Sequence, residues 1–402
     1  MPRTEPSHTS YPTVTRWVER WLSNRLKVGR LTIVWPGGAV CRIDSGQTGP
    51  DATIRLLKWR GVRRLVTGGA LGFAEAFIEG DWDSPDLPTA VELAACNMML
   101  RRPDRGAWVP RKVADLLAHR RNENTVDGSH RNIVAHYDLG NAFYGLWLDR
   151  TMSYSSAYFS EPGETLETAQ LTKCRRLLDS VGVRQGDHLL EIGCGWGNLS
   201  RLAARERGVS ATAITVSPAQ RDFAAAAVQR DGLGDRVTVE LRDYREVTGQ
   251  FDHIVSVEMI EAVGEKYWPV FFDRLHELLV PGGRAGLQAI TIHDRLFDRY
   301  RRSVDFIQRH IFPGGLLPSQ SALRDHAADA GLTWASEDSF GPHYARTLAE
   351  WRDRFKAAWP KICELGFDER FRRLWLLYLG YCEGGFRAGN IDVRQIVLAR
   401  PA

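Results

Sequence analysis

Apolar runs of strand length alternate with helical patterns through the second half of the chain. The strand-like runs end in polar or glycine residues, and they occupy residues 188–192, 210–216, 237–241, 251–257 and 284–292. Apolar positions at helical spacing are typical of the adjoining segments, including residues 165–181 and 266–279. Strands that alternate with helices form mainly parallel sheets. The pattern predicts a doubly wound α/β domain, in which ligands lie at the carboxyl ends of the strands.

The first part of the chain has shorter apolar runs and more turn residues. Runs at residues 31–35, 40–43 and 52–57 are separated by glycine and polar residues, which favours hairpins. Residues 16–30 and 87–97 have helical spacing. We therefore expect a smaller mixed α/β N-terminal domain.

A polar segment, NENTVDGSH at residues 122–130, has the composition of a linker. It divides the chain into a disordered N-terminus (residues 1–12), an N-terminal domain (residues 13–125) and a larger C-terminal domain (residues 126–402). Within the C-terminal domain, residues 306–381 are expected to form a helical cover over the ligand site.

The composition argues against several classes of protein, including nucleic acid-binding, disulfide-rich and metal-binding proteins. Hydrophobic residues make up 44% of the chain and charged residues 25%, as in ordinary soluble proteins. A net charge of +4 over 402 residues gives no indication of nucleic acid binding. The six cysteines contain no CxxC pair, so neither a disulfide framework nor a metal site is expected. Because the sequence has no apolar run of bilayer length and no signal-peptide core at its N-terminus, we expect a cytoplasmic protein.

The segment HLLEIGCGWGNLS, residues 188–200, places a glycine turn between a strand and a helix. Gly193 and Gly195 permit close approach of a ligand, and Glu191 at the strand end can accept hydrogen bonds from it. No GKS or GKT follows, which argues against a phosphate-binding Walker loop. The order E-x-G-x-G-x-G resembles the S-adenosylmethionine (SAM) loop of class I methyltransferases. A NAD-binding turn and a purely structural turn are the alternatives, although the next strand ends in Thr215 rather than an acidic residue.

Nine motifs follow one another in an order that points to a single family. They are AHYDLGNAFYGLWLD, MSYSSAYF, EIGCGWG, ITVSPAQ, RDYR, FDHIVSVEMIEAVG, IFPGG, YARTLAEWRDRF and FRAGNIDVRQIVLAR. Together they resemble the cyclopropane-fatty-acid synthases and their methyl-transferring relatives, mycolic acid cyclopropane synthases among them. The motifs cover nearly all of residues 130–400, and residues 68–83 resemble the N-terminal domain of longer members. The resemblance implies a Rossmann-like SAM-dependent methyltransferase that acts on the double bond of an unsaturated phospholipid acyl chain. Residues 126–402 are then the catalytic domain, and residues 13–125 an N-terminal lipid-binding-like domain.

The same resemblance assigns residues to the cofactor. It implies SAM contacts at Tyr154, Ser155, Gly193, Gly195, Thr215, Gln220, Arg242 and Asp243, to which the loop itself adds Glu191. Side chains such as Thr215 and Gln220 suit ribose hydroxyls. Family members more often have Gln-Asp or Trp-Glu where this chain has Arg242-Asp243, so Arg242 departs from the family pattern.

The resemblance also implies a base for the proton removal that follows methyl transfer, and in relatives this base looks to be a bound bicarbonate. The resemblance places Glu261, Tyr344 and the backbone of Ile290 and Ser156 around this anion. Gln288 stands where many cyclopropane synthases have His, and Gln cannot relay a proton as imidazole does. Loss of a proton from the new methyl group gives a ring or a methylene branch, whereas loss from a chain carbon gives a methyl-branched alkene. The sequence leaves the product open between these classes.

Aromatic residues near the motifs are candidates for an acyl tunnel, with core packing as the alternative for each of them. The candidates are Tyr137, Trp268, Phe312 and Tyr378. Two basic segments with Trp residues, at 16–30 and 101–121, favour peripheral contact with the inner face of a membrane, or equally a helix packed on its own domain.

Two further partners follow from the resemblance alone, a second copy of the chain in a homodimer and a reductase that processes a methylene product. Two other functions stay open. One is methyl transfer to a small soluble substrate, against which the Trp-bearing basic segments argue. The other is a non-catalytic relative that binds lipid and SAM, which the replacement of His by Gln288 keeps open.

Overall fold

The computed structural model describes residues 13–100 and 139–402, which form two compact units. The first unit contains residues 13–100 together with Trp351–Asn390, and the second contains residues 139–350 together with Ile391–Ala402. The segment expected to be disordered, the basic segment at 101–121 and the predicted boundary at residue 125 lie outside the described residues. The sequence pattern gave no sign that residues 351–390 group with the first unit, and this grouping divides the predicted cover, residues 306–381, between the units.

The described helices and strands follow one another in a regular order. In chain order they are α1 (Thr13–Ser23), β1 (Arg30–Val34), β2 (Val40–Asp44), β3 (Asp51–Leu56), α2 (Trp59–Ile78), β4 (Trp82–Asp83), α3 (Leu87–Met99), α4 (Asn141–Gly145), α5 (Leu166–Val181), β5 (His188–Ile192), α6 (Asn198–Arg207), β6 (Ser210–Thr215), α7 (Pro218–Arg230), β7 (Val237–Leu241), β8 (Phe251–Val257), α8 (Ile260–Val263), α9 (Trp268–Leu278), β9 (Leu279–Ile292), α10 (Asp294–Tyr300), α11 (Phe306–His310), α12 (Gln320–Asp329), β10 (Thr333–Ser339), α13 (Gly341–Glu364), α14 (Glu369–Arg387) and β11 (Ile391–Ala399).

The first unit combines helices with a four-stranded sheet of order β2-β1-β3-β4. Strands β1 and β3 are parallel, whereas β1–β2 and β3–β4 are antiparallel, so only part of the predicted hairpin pattern is present. Helices α3 and α14 pack closely because Gly384 has no side chain. A Cβ at Gly384 would lie 2.7 Å from both Pro88 O and Val91 Cβ. This close approach explains how a segment remote in sequence belongs to the N-terminal unit.

The second unit is built on a seven-stranded sheet of order β10-β11-β9-β8-β5-β6-β7. The five strands from β9 to β7 are parallel, and β11 and β10 add two antiparallel pairs at one edge. This arrangement confirms the predicted α/β class with a mainly parallel sheet. Because the order reverses at β5, ligands are expected at the carboxyl ends of β5 and its neighbours.

Helix α5 shows how the sequence pattern fixes packing on this sheet. Its N-terminus is capped by the Thr165 side chain, which accepts from the Thr168 N–H, and its C-terminus ends at left-handed Gly182. Its buried residues recur at helical spacing and are Leu166, Ala169, Gln170, Lys173, Cys174, Leu177, Leu178 and Val181. The two polar members of this stripe, Gln170 and Lys173, lie near the site described below. No helix within the described residues is long and apolar enough to cross a membrane.

Candidate functional site

The glycine turn after β5 forms the first part of the candidate site. Gly193, Gly195 and Gly197 have φ angles of 81°, 53° and 79°, a left-handed conformation that residues with a Cβ rarely adopt. The N–H groups of Gly193 and Cys194 both donate to Ile214 O of β6, at 3.0 and 2.9 Å. The turn is thereby tied to the neighbouring strand. A Cβ at Gly195 would meet nothing within 4 Å, so this side of the turn is open to a ligand.

Glu191, predicted to accept from the cofactor, holds the start of helix α6. Its Oε2 accepts from the Ser200 N–H at 3.0 Å and from the Ser200 hydroxyl. Burial raises the pKa of Glu191 to about 7, although these hydrogen bonds and Lys173 act in the opposite direction. Glu191 therefore fixes the loop, and its contact with SAM stays a prediction.

The end of β6 presents a preformed polar pair. The Thr215 hydroxyl donates to Gln220 Oε1 at 2.9 Å and accepts from the Ser217 N–H at 3.2 Å. Thr215 and Gln220 are both buried. A neutral pair at this place suits hydroxyl groups of a ligand. It lacks the acidic side chain that NAD-binding folds use at the end of this strand.

Arg242 and Asp243, after β7, are engaged with neighbouring side chains. Arg242 Nε lies 3.2 Å from Glu240 Oε2, and the Arg242 side chain is 41% exposed. Asp243 accepts from the Arg245 guanidinium at 2.7 and 2.6 Å and from the Arg245 N–H at 2.9 Å. The structure shows no ligand role for either, and both assignments stay predictions.

Tyr154 and Ser155 lie in a well-packed loop before α5. The Tyr154 ring packs beside those of Tyr144 and Trp147, with centroids 5.3 and 5.7 Å apart. The Ser155 hydroxyl oxygen lies 2.6 Å from Lys173 Nζ, which donates to it. Lys173 is only 2% exposed, so the helix delivers a buried cation to this side of the sheet.

A cluster of five residues, here called the carboxylate cluster, lies beyond the ends of β8 and β9. Its members are Ser156, Glu258, Glu261, Gln288 and Tyr344. Glu258 Oε1 accepts from the Ser156 N–H and from the Gln288 side-chain amide, each at 2.8 Å. Glu258 Oε2 accepts from the Tyr344 hydroxyl at 2.6 Å. The resemblance assigned Tyr344 and Glu261 to a common bound anion, which stays a prediction; in the structure the Tyr344 hydroxyl donates to Glu258.

Gln288 is oriented by its neighbours. Its Nε2 also donates to Ser156 O at 3.3 Å, and its Oε1 accepts from Gln395 Nε2 at 3.1 Å. Burial raises the pKa of Glu258 above its ordinary value, and Tyr344, Lys173, Ser156 and Gln288 offset part of this rise. Four donors or cations thus favour the ionised form of a carboxylate in a desolvated place.

Glu261 has the opposite environment. Its Oε1 accepts from the Ile290 N–H, whereas its Oε2 is buried and has no hydrogen-bond partner among the described residues. Burial, followed by repulsion from Glu258, raises the pKa of Glu261 to about 8. The two carboxyl groups therefore have different surroundings, since three donors and Lys173 oppose the effect of burial at Glu258, whereas Glu261 has only the Ile290 N–H on one oxygen.

We expect Glu261→Gln to change how stability depends on pH. In the wild type the folded pKa, about 8, exceeds the ordinary value of 4.5. The folded state binds the proton more tightly, so this stability is present below pH 4.5 and is lost as pH rises through 8. Glutamine keeps the Ile290 hydrogen bond without titrating. The free energy of unfolding of the variant relative to wild type should rise between pH 4.5 and 8.5 by an amount on the order of 4 kcal/mol.

Denaturant unfolding at several pH values measures this difference. Glu277→Gln is the matched control, because the Glu277 side chain is 58% exposed. It should not reproduce the rise expected for Glu261→Gln. Equal pH profiles for Glu261→Gln and the control would contradict the buried, protonated state of Glu261.

The predicted acyl-site aromatics have different surroundings. Trp268 is completely buried in the core and its indole N–H donates to Ile260 O at 3.3 Å. Phe312 is partly accessible, in a turn whose Leu316 N–H donates to Glu261 O at 2.8 Å. Tyr378 is buried in the first unit, against Trp375. Tyr137 lies outside the described residues. A contact of these residues with an acyl chain stays a prediction, supported by position for Phe312 alone.

Two residues of the site were missed from the sequence. Glu258 directly follows a buried strand, in the string EMIE, but the resemblance drew attention to Glu261 three residues later. Lys173 is a charged residue in the apolar stripe of α5, a position that rarely holds an unpaired charge. A lysine in an apolar stripe is therefore the sequence feature that indicates a buried, paired charge at this place.

Known proteins resemble this chain along most of its length. A family model described as mycolic acid cyclopropane synthetase matches residues 125–396. Tuberculostearic acid methyltransferase UfaA1 of Mycobacterium tuberculosis is 42% identical over 346 residues, which cover 84% of this chain and 81% of that protein. Cyclopropane-fatty-acyl-phospholipid synthase of Escherichia coli is 35% identical over 348 residues, with 84% and 85% covered.

A solved structure gives the same picture. The crystal structure of mycolic acid cyclopropane synthase CmaA1, complexed with SAH and CTAB, matches with a TM-score of 0.64 and 32% sequence identity. The match covers 67% of this chain and 98% of that chain.

Proposed function

The chain belongs to the mycolic acid cyclopropane synthetase family, and from this premise we propose that it transfers a methyl group to the double bond of an unsaturated acyl chain in a membrane phospholipid. Membership confirms the resemblance, the class I methyltransferase fold and SAM as the cofactor. The chain is a SAM-dependent enzyme that modifies fatty acyl chains. The phospholipid acceptor and the product are the proposal.

The residues at the ends of β5 and β6 fit SAM. The left-handed glycine turn exposes backbone groups, and the buried Thr215–Gln220 pair offers neutral hydrogen-bonding groups. Bound SAM supplies an electrophilic methyl group. Met259 connects this turn to the carboxylate cluster, because a Cβ at Gly193 would lie 2.9 Å from Met259 Cγ. The observation that carries the proposal is this contact, which places the glycine turn next to the segment that holds Glu258 and Glu261.

The chemistry explains what the remaining residues must do. An alkene is a weak nucleophile, so the acyl chain has to be held against the methyl group with water excluded. The double-bond pair forms the new carbon–carbon bond as the methyl–sulfur bond breaks, which leaves a carbocation on the neighbouring chain carbon. A base then removes a proton. The carboxylate cluster supports this step, since it holds a buried carboxyl group among donors that favour its ionised form.

For the product, we propose a methyl- or methylene-branched chain. The 42% identical relative is named a tuberculostearic acid methyltransferase. Gln288 at the place of the family's His removes a proton-relaying group. A reductase that saturates the remaining double bond is then the expected partner. A cyclopropane is the second candidate, favoured by the match to the synthase of Escherichia coli.

Exposed apolar and basic residues of the first unit support contact with a membrane surface. Trp17 is 54% exposed on α1, between the exposed Arg16 and Arg20. Leu57 and Trp59 are also exposed, at 54% and 43%. Trp with neighbouring Arg is typical of segments that lie in the lipid headgroup region. We propose that this unit brings the enzyme to the phospholipid.

Mass spectrometry of intact phospholipids tests the proposal. The purified protein is incubated with methyl-trideuterated SAM and vesicles of cis-unsaturated phospholipid, with saturated phospholipid vesicles as the control. We expect a labelled acyl chain on the unsaturated lipid. Three deuteriums with an internal alkene, or two with a methylene group, identify a branched product.

Other outcomes favour other functions. Two deuteriums in a saturated ring would make the product a cyclopropane. Label on free small molecules instead of lipid would point to a soluble substrate. SAM binding without any labelled product would favour a non-catalytic relative.

A further inference from the structure

Glu258 occupies the centre of the donor set that the family resemblance assigns to a bound anion. The resemblance gave the Ser156 backbone and Tyr344 to bicarbonate. In the structure, both groups donate to the Glu258 carboxylate, at 2.8 and 2.6 Å, and Gln288 adds a third donor at 2.8 Å. These donors do not fit a second anion while Glu258 accepts from them. The chain thus holds a carboxylate of its own where a dissolved one was expected.

The backbone at Glu258 is unusual in a way that fits this role. Among the described non-glycine residues, Glu258 and Met152 have a positive φ, with 51° at Glu258. Such a conformation strains a residue with a long side chain and persists where the surroundings enforce it. It follows directly after β8 and turns the Glu258 side chain toward Tyr344. The strained backbone and the three donors together indicate that the position of the Glu258 carboxylate has a functional role.

The hydrogen-bond pattern leaves one lone pair available. Oε1 of Glu258 has two donors, Ser156 and Gln288, and so is saturated. Within residues 13–100 and 139–402, Tyr344 is the one donor to Oε2, which retains one lone pair for a proton. Lys173, buried nearby, compensates the negative charge of Glu258. Glu261, the other carboxyl of the cluster, has no comparable set of donors.

We propose that Glu258 is the catalytic base of this enzyme and replaces bicarbonate in the proton-removal step. After methyl transfer, Oε2 takes a proton from a chain carbon next to the cationic centre, which gives the internal methyl-branched alkene. For the methylene product, a 1,2-hydride shift first moves the cation to the methyl-bearing carbon, and Oε2 then takes the proton from the new methyl group. The electron pair of that carbon–hydrogen bond forms the new double bond of the branched product, and Glu258 becomes a neutral carboxylic acid. The inference rests on the proposed function. It predicts an enzyme whose turnover needs no added bicarbonate.

A comparison of wild type with Glu258→Gly and Glu258→Gln tests the inference. Glycine adopts the left-handed conformation without strain and opens the donor set, so Glu258→Gly is expected to fold. Glutamine keeps the size of the side chain but removes its basicity. Glu277→Gln serves again as the exposed control. Two readouts are used, binding of carbon-13 bicarbonate followed by NMR, and labelling of lipid in buffer freed of carbon dioxide.

We expect wild type and the control to bind no bicarbonate and to label lipid at full rate without it. Glu258→Gln should lose about 100-fold or more in turnover, with SAM affinity unchanged. Glu258→Gly should bind bicarbonate and regain turnover as bicarbonate is added. This rescue distinguishes a base from a residue with only a structural role.

The opposite results would overturn the inference. Bicarbonate binding to wild type, or a wild-type rate that requires bicarbonate, would return the base to the dissolved anion. A Glu258→Gly variant that binds none would show that Glu258 does not occupy the anion site. If wild type labels no lipid, the proposed function fails, while the binding comparison still decides whether Glu258 fills the anion site.

Discussion

Gly193→Ala is expected to weaken SAM binding by about 100-fold while the protein stays folded. A residue with a Cβ pays about 1–2 kcal/mol in left-handed backbone, and Gly193 has a φ of 81°. The new Cβ would also lie 2.9 Å from Met259 Cγ and 3.2 Å from Met259 Cβ. Because these atoms are close to the backbone, Met259 cannot move away without its neighbours. The turn between Glu258 and Glu261 would shift together with the cofactor loop.

Isothermal titration with SAM and thermal unfolding measure the two parts of this effect. Gly186→Ala is the matched control, since Gly186 has a φ of 91° and a Cβ there would meet nothing within 4 Å. It should lose a similar amount of stability from backbone strain and bind SAM as wild type does. SAM affinity within about 3-fold of wild type in folded Gly193→Ala would remove this turn from the cofactor site.

The cofactor loop could be predicted from the sequence because its signals are local. Strand β5 has the predicted bounds, residues 188–192. The glycines that follow have left-handed backbone angles, which glycine adopts more readily than other residues. Thr215 and Gln220 were likewise located from their place after a strand, and their contact with SAM stays a prediction. A short apolar run and the next few residues contain all the information that these features need.

The carboxylate cluster could not be predicted in the same way. Glu258, rather than Glu261, reaches Tyr344 because the backbone of Glu258 has a positive φ. Residues other than glycine rarely adopt this conformation, so the string EMIE does not indicate it. The donors come from loops and elements far apart in the chain, so no spacing relates them. Lys173 meets Ser155 across 18 residues. Residues 351–390 join the first unit through a helix contact at Gly384, and helical periodicity gives no partner for a helix.

Tyr344→Phe is expected to lower turnover by about 100-fold without changing SAM affinity. The Tyr344 hydroxyl is the donor to Glu258 Oε2, at 2.6 Å, and phenylalanine leaves that oxygen without its partner. Among the groups that lower the pKa of Glu258, the Tyr344 hydroxyl has the largest effect. Its loss should raise that pKa, because Lys173, Ser156 and Gln288 alone then oppose the effect of burial. The acidic limb of the pH–rate profile should therefore move to higher pH.

Steady-state kinetics across pH, with SAM titration beside them, check both parts of this expectation. Glu261, with a pKa of about 8, also contributes to the pH–rate profile, but this contribution is present in both wild type and variant. Tyr158→Phe is the matched control, because Tyr158 packs on His343 and Arg176, at 4.4 and 3.8 Å, outside the carboxylate cluster. It should keep the wild-type rate and pH profile. Reduced turnover of Tyr344→Phe with an unmoved acidic limb and a lower melting temperature would assign Tyr344 to packing, since a hydrogen bond to an ionised base must change the pH at which that base loses its charge.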